Sequence, residues 1–344
     1  MLVLLKNQKQ MKIINIPIEP LEERYSGQWN TWFIHGFAKS NICFETIYGD
    51  TCINEIKHGS FLDVIETNLY KTSQLGKILT YISTMKPDDS VVLFFHDLWF
   101  PGLINIAYMR DGLGLKNLKI CGCLHAGSYD EYDFLSKTMG QWTEDFENSM
   151  LNIVDKIFVA TQFHKDLLYH QRNVSANKIM VTGFPIYDDF RDQDNLPPCR
   201  ENIIVFPHRL DDEKLPVLFD EFAEDPKMKR FKWLKTKEVC KTKNEYYELL
   251  SKSKFAISFA RQETWGIAMQ EAIICGCIPI VPNRLSYPEM YDQDFIYDEL
   301  DEAKRIIAQF EINPPAFNLQ QTRNRILKNG ARAIPRMIEQ MKKL

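Results

Sequence analysis

Two carboxylates frame the start of a predicted helix in the segment SFARQETWGIAMQEAIICGCIPIVP, residues 258–282. A buried strand ends at Ala260, and Gly266 then lets a ligand come close to the backbone where the helix begins. The free N–H groups and the dipole of a helix start form a ready anion site. Glu263 lies on the preceding loop, whereas Glu271 lies further along the helix, where it could reach a neutral diol such as a ribose. Alternatively, Glu263 only accepts hydrogen bonds at the start of the helix, and Glu271 lies on its solvent-exposed face.

Fixed cations follow another predicted strand, in the segment NIIVFPHRLDDEK, residues 202–214. The strand ends at Pro207 and brings Arg209 and then Lys214 to one edge of the sheet. Two cations beside a helix start suit a diphosphate leaving group, because its negative charge grows as the bond to it breaks. Alternatively, these cations only form ion pairs with the acidic residues that follow, Asp211, Asp212 and Glu213.

Polar residues also end strands in the first half of the chain. His125 closes the apolar run ICGCLH, and the polar stretch GSYDEYD follows. We expect Asp130 and Asp133 in this stretch to bind the substrate that accepts a transferred group, the acceptor. A lone histidine after an apolar strand is more often structural. His96, which follows the run SVVLFF, is a weaker example of the same pattern.

The loop after the first strand, EPLEERYSG at residues 19–27, carries charged residues in front of a late glycine. At a strand end it should lie on the acceptor side of a ligand cleft. It could recognise the acceptor through four side chains, those of Glu22, Glu23, Arg24 and Tyr25. The alternative is an ordinary capped loop before the helix.

The elements that position these residues alternate along the chain. Short apolar, β-branched runs alternate with helical periodicity, which is typical of βαβ units and parallel sheets. The predicted strands are 12–17, 42–48, 90–95, 118–124, 156–160 and 178–182, then 202–207, 231–234, 255–260 and 277–282. The predicted helices include 28–39, 70–85, 215–223, 244–253 and 266–275.

The length of 344 residues suits two domains of about 150 residues each. The polar segment 192–200, DQDNLPPCR, is the best linker. We expect an N-terminal Rossmann-like domain at 11–190, a C-terminal one at 200–315, and a basic helix at 316–344 that packs back across both. Gly330 and Pro335 are expected to interrupt that helix. Two such domains bind a ligand in the cleft between them.

Basic residues are concentrated in two segments, although the net charge of the chain is −4. Residues 227–243 carry eight Lys/Arg against one Glu, and residues 315–344 carry seven against one. The first segment runs past a strand end into a predicted loop, where Lys235, Lys237 and Lys241 could follow the phosphates of DNA or RNA. Alternatively, this segment only forms a solvent-exposed surface that binds no nucleic acid.

The eight cysteines do not form a zinc motif. Cys121 and Cys123, like Cys275 and Cys277, are separated by one residue, which is too short for the usual zinc pair. We expect buried free thiols. The apolar run at residues 1–5 is too short for a signal sequence or a membrane span, so we expect a cytoplasmic protein without a membrane span.

The two segments that carry chemistry resemble, when taken together, the C-terminal domain of retaining GT-B glycosyltransferases of the family-4 type. That family has a strand followed by x-R-x-x-x-E-K and a pair of glutamates with seven residues between them, which stand here as HRLDDEK and ETWGIAMQE. The closest subgroup is that of the tRNA-queuosine mannosyltransferases, which combine PHR, a G-(I/V)-A-M-x-E-A helix, a C-G-C-x-P turn and YPE. The corresponding residues are 207–209, 266–272, 275–279 and 287–289. The resemblance covers residues 200–300 well and 157–185 moderately.

The resemblance implies a GT-B fold, in which two Rossmann-like, doubly wound α/β domains face a deep cleft. It implies that Arg209 and Lys214 bind the diphosphate of a nucleotide-sugar donor. Glu271 would bind the ribose and Glu263 the transferred sugar, and His125 matches a histidine that the family often has near the sugar. The backbone that would cap the phosphates belongs to Thr264, Trp265, Gly266 and Ile267.

The resemblance also implies a retaining, front-face reaction in which the leaving phosphate takes the acceptor proton. The cations replace a metal, so neither a metal nor a cofactor is expected, and the nucleotide sugar (UDP or GDP) is a substrate. The loop 19–27 departs from the Gly-rich loop usual in the family.

Three interpretations of the function remain open from the sequence. The subgroup and the basic segments favour a modified nucleobase of DNA or tRNA as the acceptor, as in a phage-type DNA-base glycosyltransferase. An envelope glycan, a lipid or a small metabolite is the commoner acceptor in the wider family. A non-catalytic GT-B binding module is the third interpretation.

Overall fold

The computed structural model describes residues 11–21, 24–50, 64–189 and 200–344. In these residues the chain forms two parallel β-sheets with helices packed against them. The first sheet contains β1 (Lys12–Ile16), β2 (Cys43–Thr46), β3 (Val91–Phe95), β4 (Leu118–Cys123), β5 (Lys156–Val159) and β6 (Ile179–Val181), in the order β2-β1-β3-β4-β5-β6. Its helices are α1 (Tyr25–Lys39), α2 (Val64–Ser83), α3 (Leu103–Gly112), α4 (Phe134–Thr138), α5 (Trp142–Ile153) and α6 (Gln162–Gln171).

In the described part of the chain, the second sheet contains β7 (Glu201–Phe206), β8 (Lys232–Lys235), β9 (Ser253–Ile257), β10 (Ile278–Pro282) and β11 (Ile296–Tyr297), in the order β11-β10-β9-β7-β8. Its helices are α7 (Pro216–Ala223), α8 (Thr236–Val239), α9 (Lys243–Lys252), α10 (Ile267–Ile274), α11 (Tyr287–Met290) and α12 (Leu300–Ile312). A long helix, α13 (Ala316–Met341), follows.

The central strands are apolar on both faces, as parallel strands between two layers of helices must be. Every residue of β3, with the sequence VVLFF, is buried, and so is every residue of β10, IPIVP. These runs explain why the sequence predicts the sheets well. The α/β fold class with two parallel sheets is confirmed.

One apolar core runs through both halves of the molecule. Trp29 on α1, Phe184 after β6 and Trp265 before α10 meet there, with ring centroids 5.1 to 6.0 Å apart. Because the sheets share this core, residues at the ends of their strands are held in a fixed relation.

The tail helix corrects one prediction, because α13 continues through Gly330 and Pro335 without interruption. A Cβ atom at Gly330 would lie 2.3 Å from the carbonyl oxygen of Ile186, so the glycine permits close packing rather than ending the helix. Pro335 lies on the exposed face. The helix contacts both α1 and α10.

The predicted domain boundaries, 11–190, 200–315 and 316–344, stay a prediction. Most of the predicted linker, residues 192–199, lies outside the described residues. The strands of the first sheet lie between residues 12 and 181, and those of the second between 201 and 297. The predicted loop after β8 instead contains a helical turn, α8.

Candidate donor and acceptor sites

The start of α10 is the centre of the candidate donor site. Gly266 precedes the helix with a φ of +68°, in the left-handed region that favours glycine. The Oε1 atom of Glu263 accepts hydrogen bonds from the N–H of Gly266 at 2.7 Å and of Trp265 at 3.4 Å. Glu263 is therefore the helix-start carboxylate, and it accepts from two of the N–H groups that were expected to cap a phosphate.

Lys214 lies buried against the loop before α10. Its ammonium donates to the backbone carbonyl of Gln262 and to the Oε1 atom of that side chain at 3.1 Å, and lies 3.4 Å from Oε2 of Glu263. Burial on its own would raise the pKa of Glu263. Lys214 and the two N–H groups at the helix start outweigh it and hold the pKa below its ordinary value.

His208 of the PHR motif is buried beside this pair. Burial, with Lys214 adding to it, lowers its pKa to about 3. The imidazole is therefore neutral at physiological pH, and Lys214 and Arg209 supply the positive charge of this edge.

Arg209 is about one-third exposed and forms ion pairs with Asp211 at 2.9 Å and Glu213 at 3.2 Å. The alternative in which this cation pairs with its acidic neighbours thus describes Arg209 in this structure. Lys214 instead reaches the loop of the candidate site, so the two cations lie at one strand end but in different surroundings.

Thr264 and Glu289 join the site to the first sheet. The Thr264 hydroxyl donates to the carbonyl of His125 at 2.7 Å, and its carbonyl accepts from the Thr161 hydroxyl at 2.8 Å. Glu289, from the YPE motif, accepts from the N–H groups of Gln162 and Phe163 at 2.8 and 3.1 Å, at the start of α6. The loop before α10 is consequently bonded to the ends of β4 and β5.

Glu271 is buried, so the solvated-face alternative is wrong for this residue. Its carboxylate accepts from the hydroxyls of Tyr246 at 3.0 Å and Tyr247 at 2.8 Å, and lies 3.2 Å from the ammonium of Lys243. Ile267, at the first position of the helix, is partly buried. Tyr246 and Tyr247 were not predicted to belong to the site.

His125 lies among aromatic side chains at the meeting of the two sheets. Its ring centroid is 4.8 Å from that of Trp29, 5.1 Å from Phe184 and 5.7 Å from Tyr25. A carbonyl can only accept, so the 2.8 Å contact with the His96 carbonyl puts the proton on Nε2. Burial lowers the pKa of His125, so the ring is neutral and Nδ1 is an acceptor.

Asp130 and Asp133 are buried and take part in local turns. Asp130 accepts from the N–H of Tyr132 at 3.0 Å, and Asp133 caps α4 by accepting from the N–H of Leu135 at 2.9 Å. Burial raises the pKa of both, that of Asp133 to about 7. These bonds use only the Oδ1 atom of each carboxyl group. Binding of the acceptor substrate by these two residues stays a prediction.

Arg24 and Tyr25 lie at the start of α1, whereas Glu22 and Glu23 lie outside the described residues. Arg24 lines a cavity of about 50 Å³ at the ends of β1 and β3, together with Lys71 and Asp97. Burial lowers the pKa of Arg24, and the charge of Arg209, which follows β7 in the other half of the molecule, lowers it further. The predicted acceptor loop and the candidate donor cations are thus electrostatic neighbours.

The three lysines predicted to bind nucleic acid lie in different surroundings. Lys235 is paired with Asp220 at 2.6 Å and lies 3.6 Å from Glu238. Lys237 and Lys241 are exposed. The positive surface of this segment is therefore smaller than its sequence suggests.

A buried ion pair that the sequence did not predict supports the loop carrying Asp130 and Asp133. Glu147 has no exposed surface, and Arg172 contacts its Oε2 atom at 3.0 Å. The N–H of Ser128 and the indole of Trp99 donate to Oε1 at 2.6 and 3.1 Å. Single-sequence patterns give no signal for such a pair, because Glu147 lies on α5 and Arg172 follows the end of α6.

Among the residues that the structure describes, no group of three or more His, Cys, Asp or Glu side chains could hold a metal ion. The cysteines of both closely spaced pairs, Cys121, Cys123, Cys275 and Cys277, are free and buried. In the same residues, no helix combines the length and apolar character needed to cross a membrane.

Comparison with known proteins gives a short sequence match and a likeness of fold. The chain matches no family model. It is 37% identical over 79 residues to the tRNA-queuosine alpha-mannosyltransferase of Drosophila melanogaster, which is 23% of this chain and 21% of that protein. The match thus spans about a fifth of the relative's length.

Solved structures resemble almost the whole chain. The sucrose-phosphate synthase of Thermosynechococcus elongatus superposes with a TM-score of 0.67 over 97% of this chain and 98% of its own, at 12% identity. Anabaena HepE in complex with UDP and glucose gives 0.62 over 97% and 100%, at 11% identity. The chain has the GT-B fold. At such identities the GT-B likeness establishes the fold alone, and the activity of the chain has to be argued from its own residues.

Proposed function

We propose that this protein is a retaining glycosyltransferase that moves a sugar from a nucleoside-diphosphate sugar to an acceptor hydroxyl. The proposal rests on one observation above the others. Lys214 and Glu263 meet at the start of α10, within a GT-B fold and beside the ends of β4 and β5. Ligands of open α/β sheets bind at such strand ends.

The diphosphate of the donor would bind between Lys214 and Arg209. A phosphate oxygen would replace the weaker partners of Lys214, and Arg209 would exchange its pairs with Asp211 and Glu213 for a bidentate contact. Both cations are placed before the reaction, so they stabilise the charge that develops on the leaving group. HepE was solved with UDP and glucose, which makes UDP-sugars the first donors to test and GDP-sugars the next.

In the proposed reaction, the bond from the anomeric carbon to the diphosphate oxygen breaks while the acceptor oxygen bonds to the same face of that carbon. The acceptor proton passes to the departing phosphate oxygen, so no side-chain nucleophile is needed. Glu263 would contact the transferred sugar, and neutral His125 would accept a hydrogen bond from a sugar hydroxyl at Nδ1. The cations make a metal unnecessary, so turnover should persist in the presence of EDTA.

The proposed acceptor is a modified nucleobase of DNA or tRNA. Support comes from the 79-residue match to a tRNA-queuosine alpha-mannosyltransferase and from the exposed Lys237 and Lys241, in the segment that also carries Lys243, a contact of Glu271. A base in a duplex would have to leave the stack to reach this site, so single-stranded or weakly paired substrate should react faster.

Mass spectrometry of modified nucleosides tests this proposal. The protein is incubated with UDP- and GDP-sugars and with tRNA, hydroxymethylated DNA or glycans, and the digests are searched for one added sugar residue. Addition to tRNA or DNA by wild-type protein, lost in Lys214→Ala, supports the proposal. Transfer only to a glycan, lipid or small metabolite moves the acceptor to that class, and absence of transfer and donor cleavage favours a non-catalytic module.

A further inference from the structure

The hydroxyl of Tyr247 connects the two halves of the molecule. It donates to Oε1 of Glu271 over 2.8 Å, and Nε2 of Gln28 lies 3.0 Å from the phenolic oxygen. A hydroxyl has one proton, and the bond to the carboxylate uses it, so the amide of Gln28 is the donor in the second bond. Gln28 lies on α1 of the first sheet, whereas the other two residues lie on α9 and α10 of the second.

The carboxylate of Glu271 is oriented before any ligand binds. Tyr247 and Lys243 contact Oε1, and Tyr246 donates to Oε2. A carboxylate accepts about four hydrogen bonds, so these donors leave room for about one more. Only 6% of the Glu271 side chain is exposed, which restricts a ligand to one edge of the carboxylate.

We infer that Tyr247 is a positioning residue for the ribose of the donor, and that Gln28 holds Tyr247 in place from the other half of the molecule. This inference rests on the proposed function and on the ribose-binding role of Glu271 that the sequence resemblance implies. Loss of the phenolic hydroxyl frees Oε1 to rotate away from the ribose. Loss of the Gln28 amide loosens the phenol without changing the half of the molecule that carries Glu271, Lys214 and Arg209.

Ligand pairs that differ only in the ribose provide the test. Calorimetry measures the Kd of UDP and 2′,3′-dideoxy-UDP, and of GDP and its dideoxy analogue, for wild type, Tyr247→Phe and Gln28→Ala. We expect Tyr247→Phe to weaken binding of the ribonucleotide about 10-fold and Gln28→Ala about 3-fold, as for loss of one hydrogen bond. Both variants should bind the dideoxy analogue within about 2-fold of wild type, since that ligand has no hydroxyl for Glu271.

Tyr246→Phe is the matched control, because this hydroxyl contacts Oε2 of Glu271, whereas Gln28 contacts the hydroxyl of Tyr247. Gln28→Ala should add its full loss to Tyr246→Phe but almost nothing to Tyr247→Phe. Equal losses for ribose and dideoxy ligands in both variants would show a merely structural role and overturn the inference, as would unchanged affinities. If wild type binds neither UDP nor GDP, the donor site itself is wrong and the proposed function fails. If wild type binds them but the Tyr247 and Gln28 variants show no ribose-specific loss, only this inference fails.

Discussion

The Nζ atom of Lys214 lies 3.4 Å from Oε2 of Glu263, while Oε1 of the same carboxylate accepts from the N–H of Gly266. One carboxylate therefore links a buried cation after β7 to the start of α10. A negatively charged ligand at this helix start competes with Glu263 for both partners. In the proposed function, Glu263 would respond to the donor as well as contact the transferred sugar.

The two glutamates of the candidate site should have separable effects. Glu263→Ala is expected to lower turnover about 100-fold, as for loss of a preorganised polar group, without weakening the affinity for the free nucleoside diphosphate. Glu271→Ala should mainly weaken nucleotide binding. Calorimetry and steady-state kinetics on the same preparations measure both quantities. Normal nucleotide binding by Glu271→Ala would remove the ribose assignment.

The raised pKa of Asp133 makes stability depend on pH. Burial raises this pKa from 3.8 to about 7, so between these values the folded protein holds a proton that the unfolded chain has released. Stability should therefore fall as the pH rises through this window and level off above it. Asp133→Asn keeps an acceptor for the N–H of Leu135 but cannot ionise.

Thermal unfolding at several pH values measures this effect. Relative to wild type, Asp133→Asn should gain stability progressively from pH 4 to pH 7. The control Asp301→Asn, at an exposed side chain, should leave the profile unchanged. Parallel curves for wild type and Asp133→Asn would contradict the prediction.

Gly330 should be irreplaceable in α13. Its Cβ position lies 2.3 Å from the carbonyl oxygen of Ile186, so Gly330→Ala is expected to cost about 1–3 kcal/mol of stability, as in other overpacked sites. Gly76 is also helical but has open space around it, so Gly76→Ala should stabilise by roughly 0.5–1 kcal/mol. Denaturant unfolding compares the two variants. A harmless Gly330→Ala would mean that α13 packs differently.

Binding to nucleic acid should depend on salt in a residue-specific way. If DNA or tRNA is the acceptor, Lys237→Gln and Lys241→Gln should each reduce the log–log salt slope by about 1. Lys235→Gln should change it less, because Asp220 already pairs with that ammonium. Gel-shift titrations measure the slopes. Equal effects of all three substitutions would contradict the ion pairing described here.

Much of the fold could be predicted because its signals are local. Buried parallel strands such as β3 and β10 are continuous apolar runs, and Gly266 marks the helix start after a strand. The predicted interruption of α13 was wrong because it depends on packing against a distant part of the chain. Packing of Gly330 against Ile186 outweighs the poor helix propensity that predicted an interruption.

The partners of the candidate site residues were less predictable, because they come from distant parts of the chain. Gln28 reaches Tyr247 across 219 positions, and Glu147 on α5 pairs with Arg172, which follows the end of α6. The sequence did predict the ion pairing of Arg209 as an alternative, since its acidic partners are adjacent. The sequence did not predict that Lys214 instead contacts Gln262 and Glu263 in the loop before α10.

The most direct test of the account is the release of nucleoside diphosphate from UDP- and GDP-sugars. Wild type should cleave at least one of these donors, and Lys214→Ala and Arg209→Ala should each release product about 100-fold more slowly or worse. Lys77→Ala, which removes a surface pair with Asp50, is the control and should match wild type. Release at the wild-type rate by both the Lys214 and the Arg209 variants would contradict the proposed donor site.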